Sequence, residues 1–437
     1  MPPGSAERRF QSIQRSERRT ESVQWTESVI QRTLKGIEGI GGDRLRGGYS
    51  RHVFTSSELE LREWFRAEAA ARDLDLEQDG NGNLWAWWPG PSRPRQAAVV
   101  TGSHLDSVPG GGAFDGPLGV ISALCAVDRL RACGFRPARP VAVVVFAEEE
   151  GGRFGLPCLG SRLMTGAVDP ARALRLRDAD GYTFAEVAEH RGVPPRFIGP
   201  DPERLARIGT FVELHVEQGR CLADLDEPVA VASTIDPHGR WRLSFTGVGD
   251  HAGTAVLDDR RDPMVPAARA VLAARAAARE ARADQARATV GRVTAYPGGT
   301  NVVPSRVDVW LDARAAAEPA ARAVATEVEA AARAAAEEEG CAVEVREESW
   351  SETTRFDPAL RAGMRAVLGD VPVLATGAGH DAGVLAAHVP AGMLYVRNPT
   401  GISHAPDEHA EPADCAEGVA ALARVIAEQA ACGEGGG

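Results

Sequence analysis

Three short apolar runs, residues 97–103, 141–147 and 211–216, each end in a cluster of polar side chains. Between the first two lies a stretch that puts Val120, Leu124, Val127 and Leu130 on one helical face. Strand, helix, strand in that order reads as α/β with a largely parallel sheet. Open sheets of this kind bind their ligands outside the C-terminal ends of the strands. The polar clusters stand there: GSHLDSVPGGGAFDG after the first run, AEEEG at the end of the second and ELHVEQG across the third.

A chain of 437 residues exceeds the usual size of one hydrophobic core, so two domains or one domain with a large insertion are expected. Residues 1–24 are polar and Arg-rich, which suggests a poorly ordered extension or a start placed upstream of the folded chain. Helical spacing of apolar residues follows over 25–40 and 57–72, then an Asn81-Gly82-Asn83 turn and a strand over 84–88. From about 228 to 350 the pattern becomes strand 241–248, helix 263–283, strand 288–296, strand 306–313, helix 319–338 and strand 342–347. This βαββαβ order is ferredoxin-like. Residues 351–430 return to α/β character, so the small unit interrupts a catalytic domain that begins at 25–227, and 431–437 form a Gly-rich tail.

The balance of charge excludes some partners. The net charge is -12 and the basic residues form no stripe, which argues against nucleic acid. Seven cysteines without a CxxC pair read as reduced thiols of a cytoplasmic protein. The first residues lack the apolar core of a signal peptide. No apolar run approaches the roughly 20 residues of a membrane-spanning helix, so no membrane partner is expected.

Of ten histidines, four sit in short polar motifs at element ends: His104, His215, His251 and His404. Singly each reads more readily as a structural or surface histidine, and Asp115 as a helix N-cap; their joint context points to metal. Glu148, Glu149 and Glu150 end a buried strand, where adjacent carboxylates repel unless a cation relieves them. Imidazole and carboxylate donors without clustered thiols favour Zn²⁺ or Mn²⁺. His104, Asp115, Glu150, His215 and His404 suffice for two ions bridged by one carboxylate, and a remaining carboxylate is free to serve as general base. Arg314, at a strand end, is either a surface charge or a fork for a substrate carboxylate.

The motifs GSHLDSVPGGGAFDGPLG, AEEEGGRFG, ELHVEQG, DHAGT, NVVPSRVDVWLDAR, GAGHDAG and GISHAPDEH occur in an order that resembles the M20 metallopeptidase-like superfamily. The resemblance is to its amidase/hydantoinase-carbamoylase branch and covers roughly residues 25–430. It implies a zinc-hydrolase catalytic domain of the phosphorylase/hydrolase-like α/β fold, carrying a ferredoxin-like dimerisation and lid domain. It also implies two divalent ions per subunit, His104 and His215 holding one, Glu150 and His404 the other, with Asp115 bridging. Asp106 then orients a ligand from behind and Glu149 is the general base. His215 stands where peptidases and aminoacylases of the superfamily carry an acid, which favours ureido chemistry.

The same resemblance implies a homodimer through the inserted domain, in which His251 reaches the partner's site to steady an oxyanion. Gln218, Asn301 and Arg314 would bind a small ureido carboxylate. The expected activity is allantoate amidohydrolysis, with N-carbamoyl-L-amino acids or N-carbamoyl-β-alanine as alternatives. Peptidase or aminoacylase activity is a weaker reading, and an inactive binding protein the weakest. Three positions depart from the branch: Ala255-Val256-Leu257 replaces Thr-Pro-Met, Arg397-Asn398 replaces Pro-Ser, and Gly152 replaces Ser.

Overall fold

The computed structural model describes residues 26–88 and 95–431. The extension expected over 1–24, the tail beyond 431 and Cys432 lie outside the described residues. In chain order the strands are β1 (Asp75–Gln78), β2 (Leu84–Trp88), β3 (Ala98–His104), β4 (Val141–Phe146), β5 (Ile208–Val216), β6 (Val229–Ile235), β7 (His238–Thr246) and β8 (Asp250–His251). There follow β9 (Arg287–Tyr296), β10 (Val302–Val303), β11 (Arg306–Arg314), β12 (Ala342–Ser351), β13 (Thr354–Arg355), β14 (Val373–Thr376) and β15 (Ala391–Val396). The chain divides into two compact units. The larger runs to Ser233 and resumes over Phe356–Leu374 and from Gly379; the smaller is Thr234–Arg355 with Ala375–Ala378.

The larger unit is built on a sheet of order β1-β2-β4-β3-β5-β15-β6. Its centre, β4-β3-β5-β15, is parallel, and antiparallel strands flank it on both sides. The central strands are apolar on both faces because both faces are covered, as a parallel sheet requires. On one face the helices Pro117–Ala132 and Pro412–Ala431 pack Val120, Leu124, Val127, Val419, Leu422 and Ile426 against Val99, Val143, Val145 and Leu214. The helix Pro117–Ala132 is the crossover between the parallel neighbours β3 and β4. Gly102 lets these two strands pair: its φ is +148°, and a Cβ there would lie 1.9 Å from the Val144 carbonyl oxygen.

The parallel strands end at one edge. His104 lies opposite Phe146, and His215 opposite Tyr395, so the segments after β3, β4 and β15 leave the sheet beside the last residues of β5.

In the smaller unit β7, β9, β11 and β12 form an antiparallel sheet of order β12-β7-β11-β9. The helices Met264–Glu280 and Glu318–Glu338 interleave with them to give the βαββαβ order. Ala267, Ala270, Ala274 and Ala277 on one helix and Ala321, Val328 and Ala332 on the other keep the buried faces thin. Helix and strand therefore approach closely on alanine stripes. No helix among the described residues is long and apolar enough to cross a membrane.

One buried polar knot ties the β1–β2 turn to the strand end that carries the glutamates. Asp79 accepts hydrogen bonds from the amides of Asn81 and Asn83, both at 2.9 Å, from Asn83 Nδ2 at 2.8 Å and from Trp85 Nε1 at 3.1 Å. Asn83 Oδ1 in turn accepts the amide of Ala147 at 3.0 Å. Asp79→Ala strands four donors and is expected to destabilise the protein by about 3 kcal/mol. A urea midpoint equal to that of the wild type would refute this role.

Candidate metal centre

His104 is the last residue of β3 and His215 the penultimate residue of β5; both are buried. Each turns its Nδ1 onto a backbone carbonyl at 2.9 Å, His104 onto Asp106 and His215 onto Val216. A carbonyl only accepts, so Nδ1 carries the hydrogen and Nε2 presents a lone pair. Both Nε2 atoms are buried without a hydrogen-bond partner. They face the same oxygen, Asp115 Oδ1, at 3.4 and 3.3 Å. A lone pair against a carboxylate is repulsive unless a proton or a cation lies between them.

The other oxygen of Asp115 faces a different pair. His404 Nε2 lies 3.5 Å from Asp115 Oδ2 and 3.2 Å from Glu150 Oε2. Two ligand atoms each about 2.05 Å from one tetrahedral ion lie roughly 3.3 Å apart, which is the spacing found on both sides of Asp115. His104, Asp115 and His215 form one group that could hold an ion, and Asp115, Glu150 and His404 another. The donor chemistry thus fits divalent ions, the carboxylate of Asp115 being shared between the two groups.

The helix-cap reading of Asp115 fails on geometry. Gly116 occupies the N-cap of Pro117–Ala132 and no side chain caps the helix. The Asp115 carboxylate instead accepts from Gln218 Nε2 at 2.7 Å and from Ser403 Oγ at 3.2 Å. Gly116 has φ +83° and a Cβ there would lie 2.5 Å from the His104 ring, so only glycine lets the helix start this close to the imidazole.

The three consecutive glutamates have three separate environments. Glu148, at φ +55°, accepts the amides of Arg153 and Phe154 and shapes the following loop. Burial and the nearby Asp106 push its carboxyl up to about 8. Glu149 is buried, with Oε1 3.4 Å from the Cys158 thiol and Oε2 3.7 Å from His104 Nε2. Glu150 points to His404. Asp106 receives the amides of Glu149 and Glu150 at 3.2 and 3.1 Å, so its carboxylate holds the Glu149–Glu150 turn, while its backbone carbonyl orients His104.

Electrostatics follow from crowding. Burial and the carboxylates of Asp381, Glu150 and Asp106 hold Glu149 well above its ordinary range. Burial and Glu213 do the same to Asp381. Burial would raise Asp115 as well, but His215 and His104, when protonated on Nε2 in the place an ion would take, outweigh it and hold this carboxyl well below the usual range. The neighbourhood carries more acid than base, the setting in which a cation is stabilised.

The remaining expected site residues divide between the units. Gln218 belongs to the larger unit and reaches Asp115, Ser403 and His404. In the smaller unit a two-stranded ribbon sets Val302 opposite His251, and the amide of Ala252 bonds the Asn301 carbonyl at 2.9 Å. Arg314 ends β11. Its Nε and Nη2 hold Asp312 at 2.6 and 3.0 Å, and Nη1 donates to the Gly377 carbonyl. One hydrogen on each Nη remains, a fork of the kind carboxylates accept. Asn301 lies at the opposite end of β11 from Arg314; eight residue steps of about 3.3 Å separate the strand ends by roughly 26 Å.

Several residues that sequence reasoning gave no role lie in this neighbourhood. Glu213, fully buried, accepts Ser103 Oγ at 2.7 Å and the amide of Ala382 at 3.1 Å. Asp381 accepts Ser161 Oγ at 2.5 Å. The His380 ring lies 4.5 Å from that of His215. Glu408 contacts the Asp115 loop. All but Ser103 and Ser161 stand inside the motifs ELHVEQG, GAGHDAG and GISHAPDEH, and polar residues within those motifs were the available signal. Two of the departures are structural within the larger unit. Arg397 is held by Asp414 and Asp226. Asn398 organises the loop toward His404, its Oδ1 accepting the amides of Thr400 and Gly401 and its Nδ2 donating to the Ile402 carbonyl. At the other of the two, a Cβ on Gly152 would lie 2.9 Å from His52 Nδ1.

Comparison with known proteins gives consistent relatives. The model of peptidase family M20/M25/M40 matches residues 100–428. An N-carbamoyl-L-amino acid amidohydrolase of Geobacillus stearothermophilus is 34% identical over 392 residues, covering 89% of this chain and 95% of its own. An allantoate amidohydrolase of Escherichia coli (strain K12) is 31% identical over 404 residues, covering 91% and 97%. The crystal structure of an amidase of the hydantoinase/carbamoylase family from Burkholderia vietnamiensis aligns with a TM-score of 0.85 at 28% identity, over 93% of this chain and 98% of that one.

Proposed function

The chain belongs to peptidase family M20/M25/M40, and from that membership we propose that it is a homodimeric, two-metal hydrolase of ureido carboxylates, with allantoate as the leading substrate. It is an amidohydrolase acting on carbon–nitrogen bonds other than peptide bonds. The observation that carries the reading is the two-sided carboxylate of Asp115, with the spare acid Glu149 beside it. The ureido class rests on the relatives' activities and on a histidine, His215, in place of an acidic ligand.

His104, His215 and Asp115 would hold one ion, and Asp115, Glu150 and His404 the other. When bound, such ions polarise a carbonyl and make water more acidic. The work of the chain's own groups follows from their geometry. Cys158 engages Glu149 Oε1, so Oε2 is the free oxygen. Glu149 takes a proton there from the water that attacks the carbamoyl carbon and returns it to the leaving nitrogen as the carbon–nitrogen bond breaks. Ammonia departs, and the carbamate left behind loses carbon dioxide. Arg314, aligned by Asp312, receives the substrate carboxylate; Gln218 and Asn301 add polar contacts and His251 steadies the oxyanion.

Sharing of sites between two copies explains one feature of the smaller unit. His251 and Asn301 lie at one end of β11 and Arg314 at the other, farther apart than one small ureido acid can span. Residues from different subunits meet on one substrate without that conflict. The surface of the smaller unit suits such pairing. β9 is an edge strand without an outer partner among the described residues, with Val293 51% and Tyr296 44% exposed, beside Leu272 at 69% on the helix Met264–Glu280. An open edge next to exposed apolar side chains is a surface that a second copy can cover.

N-Carbamoyl-L-amino acids are the runner-up, supported by the amidohydrolase relative of that specificity, and N-carbamoyl-β-alanine is third. The deciding measurement is ammonia release by protein reconstituted with Mn²⁺ or Zn²⁺, against these three substrates and N-acyl amino acids. Allantoate is expected to give the highest kcat/KM, and turnover of N-acyl amino acids alone would overturn the ureido reading. Glu149→Gln should retain bound metal and lose at least ~100-fold in kcat; near-normal turnover would remove Glu149 from the role of base.

Arg314→Ala should lower kcat/KM for carboxylate substrates by about 10- to 100-fold; an unchanged value would mean that the carboxylate binds elsewhere. Mixed dimers of inactive His251→Ala and Glu149→Gln chains should recover part of the activity, because one of the two sites then has both residues intact. Verified heterodimers without activity would count against sharing.

A further inference from the structure

We propose that Glu408 is a positioning residue that assembles the metal centre, by clamping the loop of Asp115 to the loop of His404. The inference rests on the two-ion reading above and goes beyond it by assigning the part that brings the two ligand loops together.

The need for a clamp is visible in the sequence. Asp115 follows three consecutive glycines, Gly110, Gly111 and Gly112, and a glycine run loses more conformational freedom on ordering than any other. His404 has φ +57°, a conformation that a side-chain-bearing residue keeps only when its surroundings enforce it. Neither ligand is part of a helix or strand, so the position of each depends on the contacts its loop makes.

Glu408 meets both loops. It is buried, 4% exposed, and its Oε1 accepts the amides of Phe114 at 3.1 Å and Asp115 at 2.8 Å, the latter across 293 residues of sequence. Its Oε2 lies 3.3 Å from Ser403 Oγ, and the same hydroxyl lies 3.2 Å from Asp115 Oδ2. One carboxylate therefore fixes the backbone of the shared ligand and meets the residue just before His404, whose single hydroxyl hydrogen is shared between Glu408 Oε2 and Asp115 Oδ2. Space is kept for it: a Cβ on Gly112 would lie 2.3 Å from Glu408 Oε1. The ring of Phe114 meets that of His409 edge-on at 5.7 Å, a second contact between the same two loops.

Glu408 acts through the positions of Asp115 and His404, so its loss should weaken ion binding before it impairs chemistry. The test is the affinity of the full-length protein for Zn²⁺ and Mn²⁺, measured by competition with a chromogenic chelator, for the wild type and for Glu408→Ala, Glu408→Asp and Glu408→Gln. Circular dichroism and a thermal melt accompany each variant. Glutamine keeps an oxygen where both amides need one, whereas aspartate is a methylene too short and alanine has no acceptor. Alanine and aspartate variants are expected to bind ions roughly 10- to 100-fold more weakly, and the glutamine variant to retain most of the affinity. Turnover of the alanine variant should recover as the ion concentration is raised.

Wild-type affinity in the alanine and aspartate variants would overturn the clamp, as would a glutamine variant as weak as alanine. If alanine does not fold, the contrast between aspartate and glutamine decides in the same way. Failure of the wild type itself to take up ions would instead overturn the two-ion reading.

Discussion

Everything around the sheet edge is arranged about one carboxylate that faces two sets of donors. Asp115 has imidazole lone pairs on one oxygen and a histidine with a second carboxylate near the other. Burying it costs several kcal/mol unless the charge is matched, and its own hydrogen bonds, from Gln218 and Ser403, come from neutral groups. The neighbouring acids Glu149, Glu150, Asp106, Glu213 and Asp381 make the imbalance larger. A chain under no pressure to bind cations would gain stability by replacing several of these residues with apolar ones. Their presence together is the strongest physical statement the fold makes about function.

The parallel sheet makes this concentration of charge possible. Strands that run the same way deliver their exits to one edge, so His104, Glu150, His215 and His404 converge although the first and last are 300 residues apart. The strand interiors remain apolar and are covered on both faces, and polar groups are confined to the ends. Some of the residues with positive φ lie there as well. Glu148, Cys158 and His404 all have positive φ, and in each case hydrogen bonds from neighbouring segments hold the residue in place or use the turn it makes.

The sequence made the architecture readable because its pattern is unambiguous: short apolar runs for the parallel core, and alternating helix and strand periods for the βαββαβ unit. The expected strands over 84–88 and 141–147 lie within a residue of β2 and β4. Strand β6 was not anticipated, because the same residues read as the start of a different segment; what makes it a strand is pairing with β15, which is remote in sequence. The candidate ligands were legible because histidine is scarce and each one stood in a polar motif. The role of Asp106 was only half legible: His104 meets its backbone carbonyl, while its carboxylate serves two amides of another strand's exit. Glu408, Glu213 and Asp381 stood inside the same motifs, but nothing local to an acid shows that it is buried or which distant segment it meets.

Separation along β11 has a consequence for how substrates are chosen. In the shared-site dimer proposed above, a group at the Arg314 end and groups at the Asn301 end would meet different parts of one bound molecule only by coming from different chains. Discrimination between ureido acids would then depend on the spacing between the two copies as well as on pocket residues. A change in the β9 edge or on the helix Met264–Glu280 would alter that spacing without touching the candidate metal centre. Substrate preference would then be open to change with every candidate ligand left in place, as expected when chemistry and selection reside in separate units of the fold.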